Sequence, residues 1–336
     1  MTCGMRAAVV LSPGKPEALE LTEVPKPKAR SGWVLIKVMA FGLNRSEIFT
    51  RQGHSGSAVT FPRILGIECV GVVEAALEPA LEPGQKVAAI MGGMGRDYDG
   101  SYAEYTLVPA AQVMPVATAL PWEAFAAIPE AFLTAWGSLV TSLNVTKGDT
   151  LLIRGGTSSV GMAAVILAKD LGLTVIATTR SSAKKQALIA HGADHVVIDN
   201  GNISEAVREL FPTGVTHVLE LIGAATLLDS LKVAAPRGVV CNTGILGNTW
   251  VLQEFEPMAA IPSSVHLTTF LSETVDASTS TSELQRVLDA ASQGRYRANP
   301  HRVFRLDEIV EAHRYMEANQ ATGKIVIKVS EASTDV

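Results

Sequence analysis

Glycine, threonine and serine crowd together in the run Thr150-Leu-Leu-Ile-Arg-Gly-Gly-Thr-Ser-Ser-Val-Gly161, between a short apolar segment and an alanine-rich apolar stretch. Gly155 and Gly156 tolerate backbone angles closed to other residues and let the main chain approach a ligand closely. The helix predicted to follow starts with unpaired N–H groups and the positive end of its dipole. A phosphate is the natural ligand of such an arrangement. Gly155, Gly156, Thr157, Ser158, Ser159, Val160 and Gly161 are therefore the candidate cradle for a dinucleotide pyrophosphate, although the spacing is not a strict G-x-G-x-x-G.

A second group bears on which dinucleotide. The next predicted strand ends Ile176-Ala-Thr-Thr-Arg-Ser-Ser-Ala-Lys-Lys185, with no Asp or Glu to hold a free ribose 2′-hydroxyl. Thr179, Arg180, Ser181 and Lys184 stand there instead. A guanidinium binds phosphate through charge-assisted, bidentate hydrogen bonds, and serine hydroxyls add donors. Lysines at a helix start oppose the helix dipole, and an anionic ligand offsets that. NADPH rather than NADH is the expected coenzyme.

Such residues need a scaffold of alternating strand and helix, and the chain supplies one from about Trp122 onward. Strands are expected at 150–154, 174–179, 195–198, 216–220, 238–243 and 266–270, with helices at 158–171, 182–190, 204–211 and 224–234. That rhythm implies right-handed crossovers and a parallel sheet covered on both faces. Ahead of it, the segments 7–11, 33–38, 70–74, 86–90 and 103–108 read as short strands punctuated by Pro and Gly. The tail, 281–330, carries two helical patterns and strands at 302–305 and 324–329, and is expected to fold back onto the first domain.

The 336 residues are 47% hydrophobic and 18% charged, enough apolar surface for two cores. A net charge of -5 gives no reason to expect nucleic acid or an anionic membrane as partner. No apolar run approaches the length of a membrane span and the N-terminus lacks a signal region, so a cytoplasmic protein is expected. Cys3, Cys69 and Cys241 form no C-x-x-C pair, and Gly192 separates His191 from His195. Neither a disulfide framework nor a metal site is indicated.

Several ordered stretches carry a resemblance. They are Gly42-Leu-Asn-Arg-Ser-Glu47 with Arg51 and Gly53, Pro62-Arg-Ile-Leu-Gly-Ile-Glu-Cys-Val-Gly-Val-Val-Glu74, Gly100-Ser-Tyr-Ala-Glu-Tyr105, Thr134-Ala-Trp136, the glycine turn, and Thr322-Gly-Lys-Ile-Val-Ile327. Over nearly its whole length the chain resembles the zinc-independent quinone oxidoreductase branch of the medium-chain dehydrogenase/reductase superfamily. The resemblance implies an α/β protein with a GroES-like, partly β-barrel catalytic domain (1–125) completed by the C-terminal segment (271–336). A Rossmann domain with a doubly wound parallel sheet (126–270) lies between them. Zinc alcohol dehydrogenases carry a cysteine where Asn44 stands and a histidine where Ile67 stands, leaving only Glu68. Their structural lobe would lie near Met91 to Asp99, which holds no cysteine. A catalytic zinc needs three good protein ligands, so none is expected.

The activity implied is hydride transfer from NADPH to a small apolar quinone or an α,β-unsaturated carbonyl. Asn44 matches the family's active-site asparagine, expected to donate to the substrate carbonyl or orient the nicotinamide. Glu47, where the family usually has Asp, is the second catalytic candidate, with Arg51 expected to pair with it at i+4. His54 is expected in an exposed loop. Thr134, opening a helix, Gly244 and Ile245 after a strand, and Phe270 and Leu271 ending the last strand are expected near the nicotinamide. Gly323 and Lys324 match the C-terminal signature. Asp199-Asn200 replaces a tyrosine that many members place near the 2′-phosphate, and an acid there works against NADPH. Homodimerisation through 264–270 is implied. The alternatives are a reductase of an enoyl thioester or biosynthetic intermediate, and a catalytically silent NADPH-binding protein.

Overall fold

The computed structural model describes residues 4–77 and 81–330; Cys3 lies outside the described residues. The chain divides into two compact units, one built from the residues up to Leu133 together with those from Glu273 on, the other spanning Thr134–Ser272. The C-terminal segment joins the first unit.

In the first unit the eleven-residue strand Trp33–Leu43 is the axis. Glu68–Ala75 pairs with it antiparallel and is followed outward by Lys86–Ile90 and Val113–Pro115. Tyr105–Pro109 pairs with the front half of the axis and Ile325–Lys328 with its end, where Ile325 faces Leu43. Arg302–Arg305 closes that side. A second sheet combines Leu19–Pro25, Gly4–Val10 and Arg63–Ile64. Val34, Ile36, Val38 and Phe41 alternate into a core shared with Val73, Val87, Tyr102 and Ile325.

The other unit is a six-stranded parallel sheet in the order 195–198, 174–179, 150–154, 215–220, 234–242, 266–269. Chain order reverses between Thr150–Arg154 and Val215–Glu220, the switch point where doubly wound sheets bind ligands beyond their carboxyl ends. Leu151, Leu152 and Ile153 are wholly buried because helices cover both faces. One helical run, Trp122–Ser142, is long and apolar enough to cross a membrane by length and composition, contrary to the expectation of no such run. It is mostly buried within the protein, as a core helix is.

Candidate active site

The glycine turn lies at the switch point, between the strand Thr150–Arg154 and the helix Ser159–Asp170. Gly155 has φ +88°, a left-handed value that favours glycine. A Cβ on Gly156 would stand 3.0 Å from Ala177 Cβ and 3.2 Å from Leu188 Cδ2, so this glycine lets the turn seat against the neighbouring strand. The turn does not aim its glycine amides outward. Gly155 N–H donates to Thr178 Oγ1 and Gly156 N–H to Thr178 O, both at 3.0 Å. Ser158 is the helix N-cap: its Oγ accepts from Gly161 N–H at 3.1 Å and donates to Gly155 O at 2.8 Å. The first two helical amides, of Ser159 and Val160, are those that helix geometry leaves without an internal acceptor. The glycines give the cradle its shape, and the helix start supplies its donors.

After the second strand, Thr179 is buried and its hydroxyl braces the turn, accepting from Ser181 N–H at 3.2 Å and donating to Ser181 O. Arg180 is exposed and forms no salt bridge among the described residues. Burial and then the positive charge of Arg180 lower the pKa of Lys184, so two like charges are gathered here. The acid that argued against NADPH is already paired. Arg154, the last residue of the first strand, binds both carboxylate oxygens of Asp199 at 2.9 and 3.0 Å. Burial works against the Asp199 charge, but Arg154 outweighs it and keeps the pKa below the usual value.

Beyond the other strands, Gly244 packs on backbone: an added Cβ would meet Leu221 Cα at 2.7 Å. Ile245 follows it, half-buried, in the loop that returns alongside 221–223, where Leu246 N–H donates to Leu221 O. Thr134 does not open a helix. It lies in the last turn of Pro129–Trp136, where its carbonyl accepts from Ser138 Oγ at 2.8 Å, and Ser138 Oγ also meets Thr243 Oγ1 at 2.9 Å. Phe270 is buried over Gly137, where a Cβ would collide with its ring, whereas Leu271 is 61% exposed.

In the first unit, register brings distant residues together. Ile325 faces Leu43 and Val70 faces Ala40, so Lys324, Asn44 and Glu68 converge at the end of the central strand. Lys324 Nζ donates to Asn44 Oδ1 and pairs with Glu68 Oε1, each at 2.6 Å, and lies 3.8 Å from Glu130 Oε2. A side chain on Gly42 would collide with this pair and force Lys324 and Glu68 to shift. Burial works against the Lys324 charge, but Glu68 and Glu130 raise its pKa above the usual value. The Asn44 amide is spent, donating to Glu68 Oε1 at 2.9 Å and Gly42 O at 3.3 Å. It holds this cluster together instead of presenting free donors to a carbonyl.

Glu47 also differs from expectation. It is 1% exposed and does not pair with Arg51. Its carboxylate reaches back to Asn44 N–H at 2.7 Å, capping the helix Arg45–Arg51, and accepts from Ile67 N–H and Tyr102 O–H at 2.9 Å each. Arg51 turns the other way, to Glu317 and to His313 Nδ1 at 3.4 Å. Arginine only donates, so Nδ1 must accept, and the ring proton is placed on Nε2, 2.9 Å from Tyr102 O. Arg51, His313, Tyr102 and Glu47 thus form one chain of hydrogen bonds pointing toward the carboxylate. Burial, then the Arg51 charge, pushes the His313 pKa down to about 3, which keeps the ring neutral. Tyr102 and Arg154 lie within stretches that stand out in the sequence but with no role assigned to them, and nothing in the sequence points to His313 or Glu130. His54 is exposed, as expected.

Burial raises the Glu47 pKa to about 7 against the three donors that favour its charge. A folded-state value above the ordinary 4.5 contributes stability that is complete below pH 4.5 and lost as pH climbs through about 7. The stability of the wild type relative to Glu47→Gln therefore falls by roughly 3 kcal/mol across that window. Urea unfolding of both proteins at about pH 5 and about pH 8 measures it. A difference independent of pH would show that Glu47 stays ionised throughout.

Two family patterns match the chain: "Alcohol dehydrogenase GroES-like domain" over residues 30–118 and "Zinc-binding dehydrogenase" over 191–327. The second name sits on a chain with Asn44 and Ile67 at the zinc-ligand positions and Glu68 held by Lys324. Among the described residues no group of three or more His, Cys, Asp or Glu could hold a metal ion. The donor set does not fit zinc. The quinone oxidoreductase of Homo sapiens is 26% identical over 330 residues, covering 96% of this chain and 97% of that protein. One of the phenolphthiocerol/phthiocerol polyketide synthase subunits of Mycobacterium tuberculosis is 29% identical over 335 residues, covering 96% of this chain, yet this chain spans only 15% of that protein's length. A mycobacterial protein solved in complex with NADPH superposes with a TM-score of 0.85 at 28% identity, covering 96% of this chain and 99% of that one. With a GroES-like unit completed by its own C-terminal strands and a parallel-sheet unit turning on a glycine cradle, the chain belongs to the medium-chain dehydrogenase/reductase superfamily of oxidoreductases, among its quinone oxidoreductase-like members.

Proposed function

We propose that the protein is an NADPH-dependent reductase that delivers hydride, without a metal ion, to a quinone or an α,β-unsaturated carbonyl. The observation that carries this reading is Arg180, an exposed guanidinium with no salt bridge among the described residues, beyond a strand whose nearest acid is bound by Arg154. The residues fit a dinucleotide. Gly155, Gly156 and Gly161 keep the cradle free of side chains, the Ser159 and Val160 amides suit a pyrophosphate, and Arg180 with Ser181 suits a 2′-phosphate. Gly244 and Ile245 bring backbone to the carboxyl edge of the sheet, where the rest of the coenzyme would lie. When bound, the nicotinamide supplies the hydride. An electron-poor acceptor needs no Lewis acid, which agrees with the donor set around Asn44. That cluster acts by keeping the 42–51 turn in place.

A spectrophotometric screen of NADPH oxidation with small quinones, enones and crotonyl thioesters tests the reading, repeated with NADH. The similarity to part of a polyketide synthase favours a second reading, reduction of an enoyl thioester, which turnover of crotonyl thioester in preference to quinone would establish. Coenzyme binding with no oxidation by any acceptor would leave the silent nucleotide-binding reading. Arg180→Ala should raise the Kd for NADPH about tenfold or more while changing that for NADH less than about twofold. Equal weakening of both would remove Arg180 from the phosphate.

A further inference from the structure

Arg154 is fully buried one residue ahead of the glycine turn. Besides its two bonds to Asp199, its Nη1 donates to Asp229 Oδ2 at 2.9 Å and its Nη2 to Gly201 O at 2.9 Å. Asp199 in turn is built into the coenzyme edge of the sheet. Its N–H donates to the carbonyl of Thr179, the residue before Arg180, at 2.9 Å. Its Oδ2 lies 3.4 Å from Thr178 Oγ1, the atom that receives the Gly155 amide. A carboxylate there, left unpaired, acts through a low-dielectric interior on any phosphate held at Arg180. Each acid near Arg154 also accepts from backbone: Asp199 from Gly201 N–H at 2.9 Å, Asp229 from Ile203 N–H at 2.8 Å, and Glu220 from Ile222 N–H at 2.7 Å and Gly223 N–H at 3.1 Å. Arg154 is thus the cation, not the only donor, that offsets Asp199.

We infer that Arg154 sets coenzyme preference from beneath the turn, by cancelling the Asp199 charge so that a 2′-phosphate at Arg180 meets no competing anion. The inference rests on Arg180 as the phosphate clasp. A residue that only stiffened the turn would matter equally to both coenzymes, because they share the pyrophosphate. The 2′-phosphate, present in NADPH alone, feels the uncancelled carboxylate most.

Fluorescence-quenching titrations of the full chain with NADPH and NADH give the ratio of the two Kd values. In Arg154→Met the preference for NADPH falls about tenfold. Adding Asp199→Asn to that variant restores most of it. Asp199→Asn alone, a near-isosteric change that leaves Arg154 bonded to Asp229, raises the preference about threefold and serves if Arg154→Met does not fold. Equal weakening of both coenzymes in Arg154→Met, or an unchanged ratio in Asp199→Asn, would overturn the inference while leaving the coenzyme site standing. If the unmutated protein bound neither coenzyme, the site reading itself would fall and this inference with it.

Discussion

Replacing Lys324 by methionine should lower the stability of the first unit by about 4 kcal/mol, and its melting temperature by roughly 10 °C. Methionine fills a similar volume, so the loss is electrical. Lys324 is 4% exposed and its ammonium sits between Glu68 and Glu130, themselves 1% and 7% exposed. Without it, two carboxylates lie buried with one hydrogen-bond donor fewer, and the Asn44 oxygen loses its partner as well. Removing one member of a buried ion pair costs more than the pair contributes, because the survivor keeps its desolvation penalty. The double variant Lys324→Met, Glu68→Gln should therefore recover part of the loss: the introduced carboxamide oxygen still accepts from the Asn44 amide, while the Glu130 N–H loses the carboxylate oxygen that accepts it. Thermal unfolding followed by circular dichroism distinguishes the cases. A change under about 2 °C for Lys324→Met would show that the three side chains do not share a charge balance in solution.

This cluster also shows what the sequence concealed. The strands 150–154, 174–179 and 195–198 were legible to the residue, because each is a short β-branched or apolar run closed by glycine or a charged residue. For the first two, burial on both faces is local information, whereas 195–198 is an edge strand with only Val197 buried. The helix Arg45–Arg51 was not legible: seven residues with Arg, Ser, Glu and Thr show no apolar stripe, and its cap and buried side hold it instead. The strand Leu19–Pro25 gives little pattern to read because all but its first residue lie partly or fully exposed. Lys324 stands out only through a motif, since its partner Asn44 lies 280 residues away and no spacing rule spans that distance. For the same reason, spacing alone pairs Glu47 with its i+4 neighbour Arg51. Burial favours Tyr102 for the first and His313 and Glu317 for the second.

The candidate nucleotide site is legible in composition but misleading in direction. Two adjacent glycines suggest amides facing a ligand, but Thr178 on the neighbouring strand takes both N–H groups. Its hydroxyl sits within reach only because the parallel register places Ala177 opposite Ile153, with Thr178 one step beyond. What remains to face a phosphate is the helix start, which depends on how closely that helix approaches the turn.

Gly161 controls that approach, so Gly161→Leu should weaken coenzyme binding by about a thousandfold, or about 4 kcal/mol. A Cβ at this position would stand 2.5 Å from Gly155 O, 2.7 Å from Gly156 O and 2.8 Å from Gly156 C, all of them backbone atoms with no rotamer to yield. The helix must then move away from the turn, and the Ser158 cap that receives the Gly161 amide is pulled with it. The Ser159 and Val160 amides leave the place where a pyrophosphate would lie, and two charge-assisted hydrogen bonds are worth about that much. Unlike Arg180→Ala, this change should affect NADPH and NADH alike, because the pyrophosphate is common to both. Gly161→Ala should fall in between, since one methyl group already meets the same three atoms. Calorimetric titration of each variant, with far-ultraviolet dichroism to confirm the fold, provides the comparison. If Gly161→Leu folds and binds NADPH as tightly as the unmutated protein, the coenzyme does not rest on this helix, and the functional reading loses its foundation.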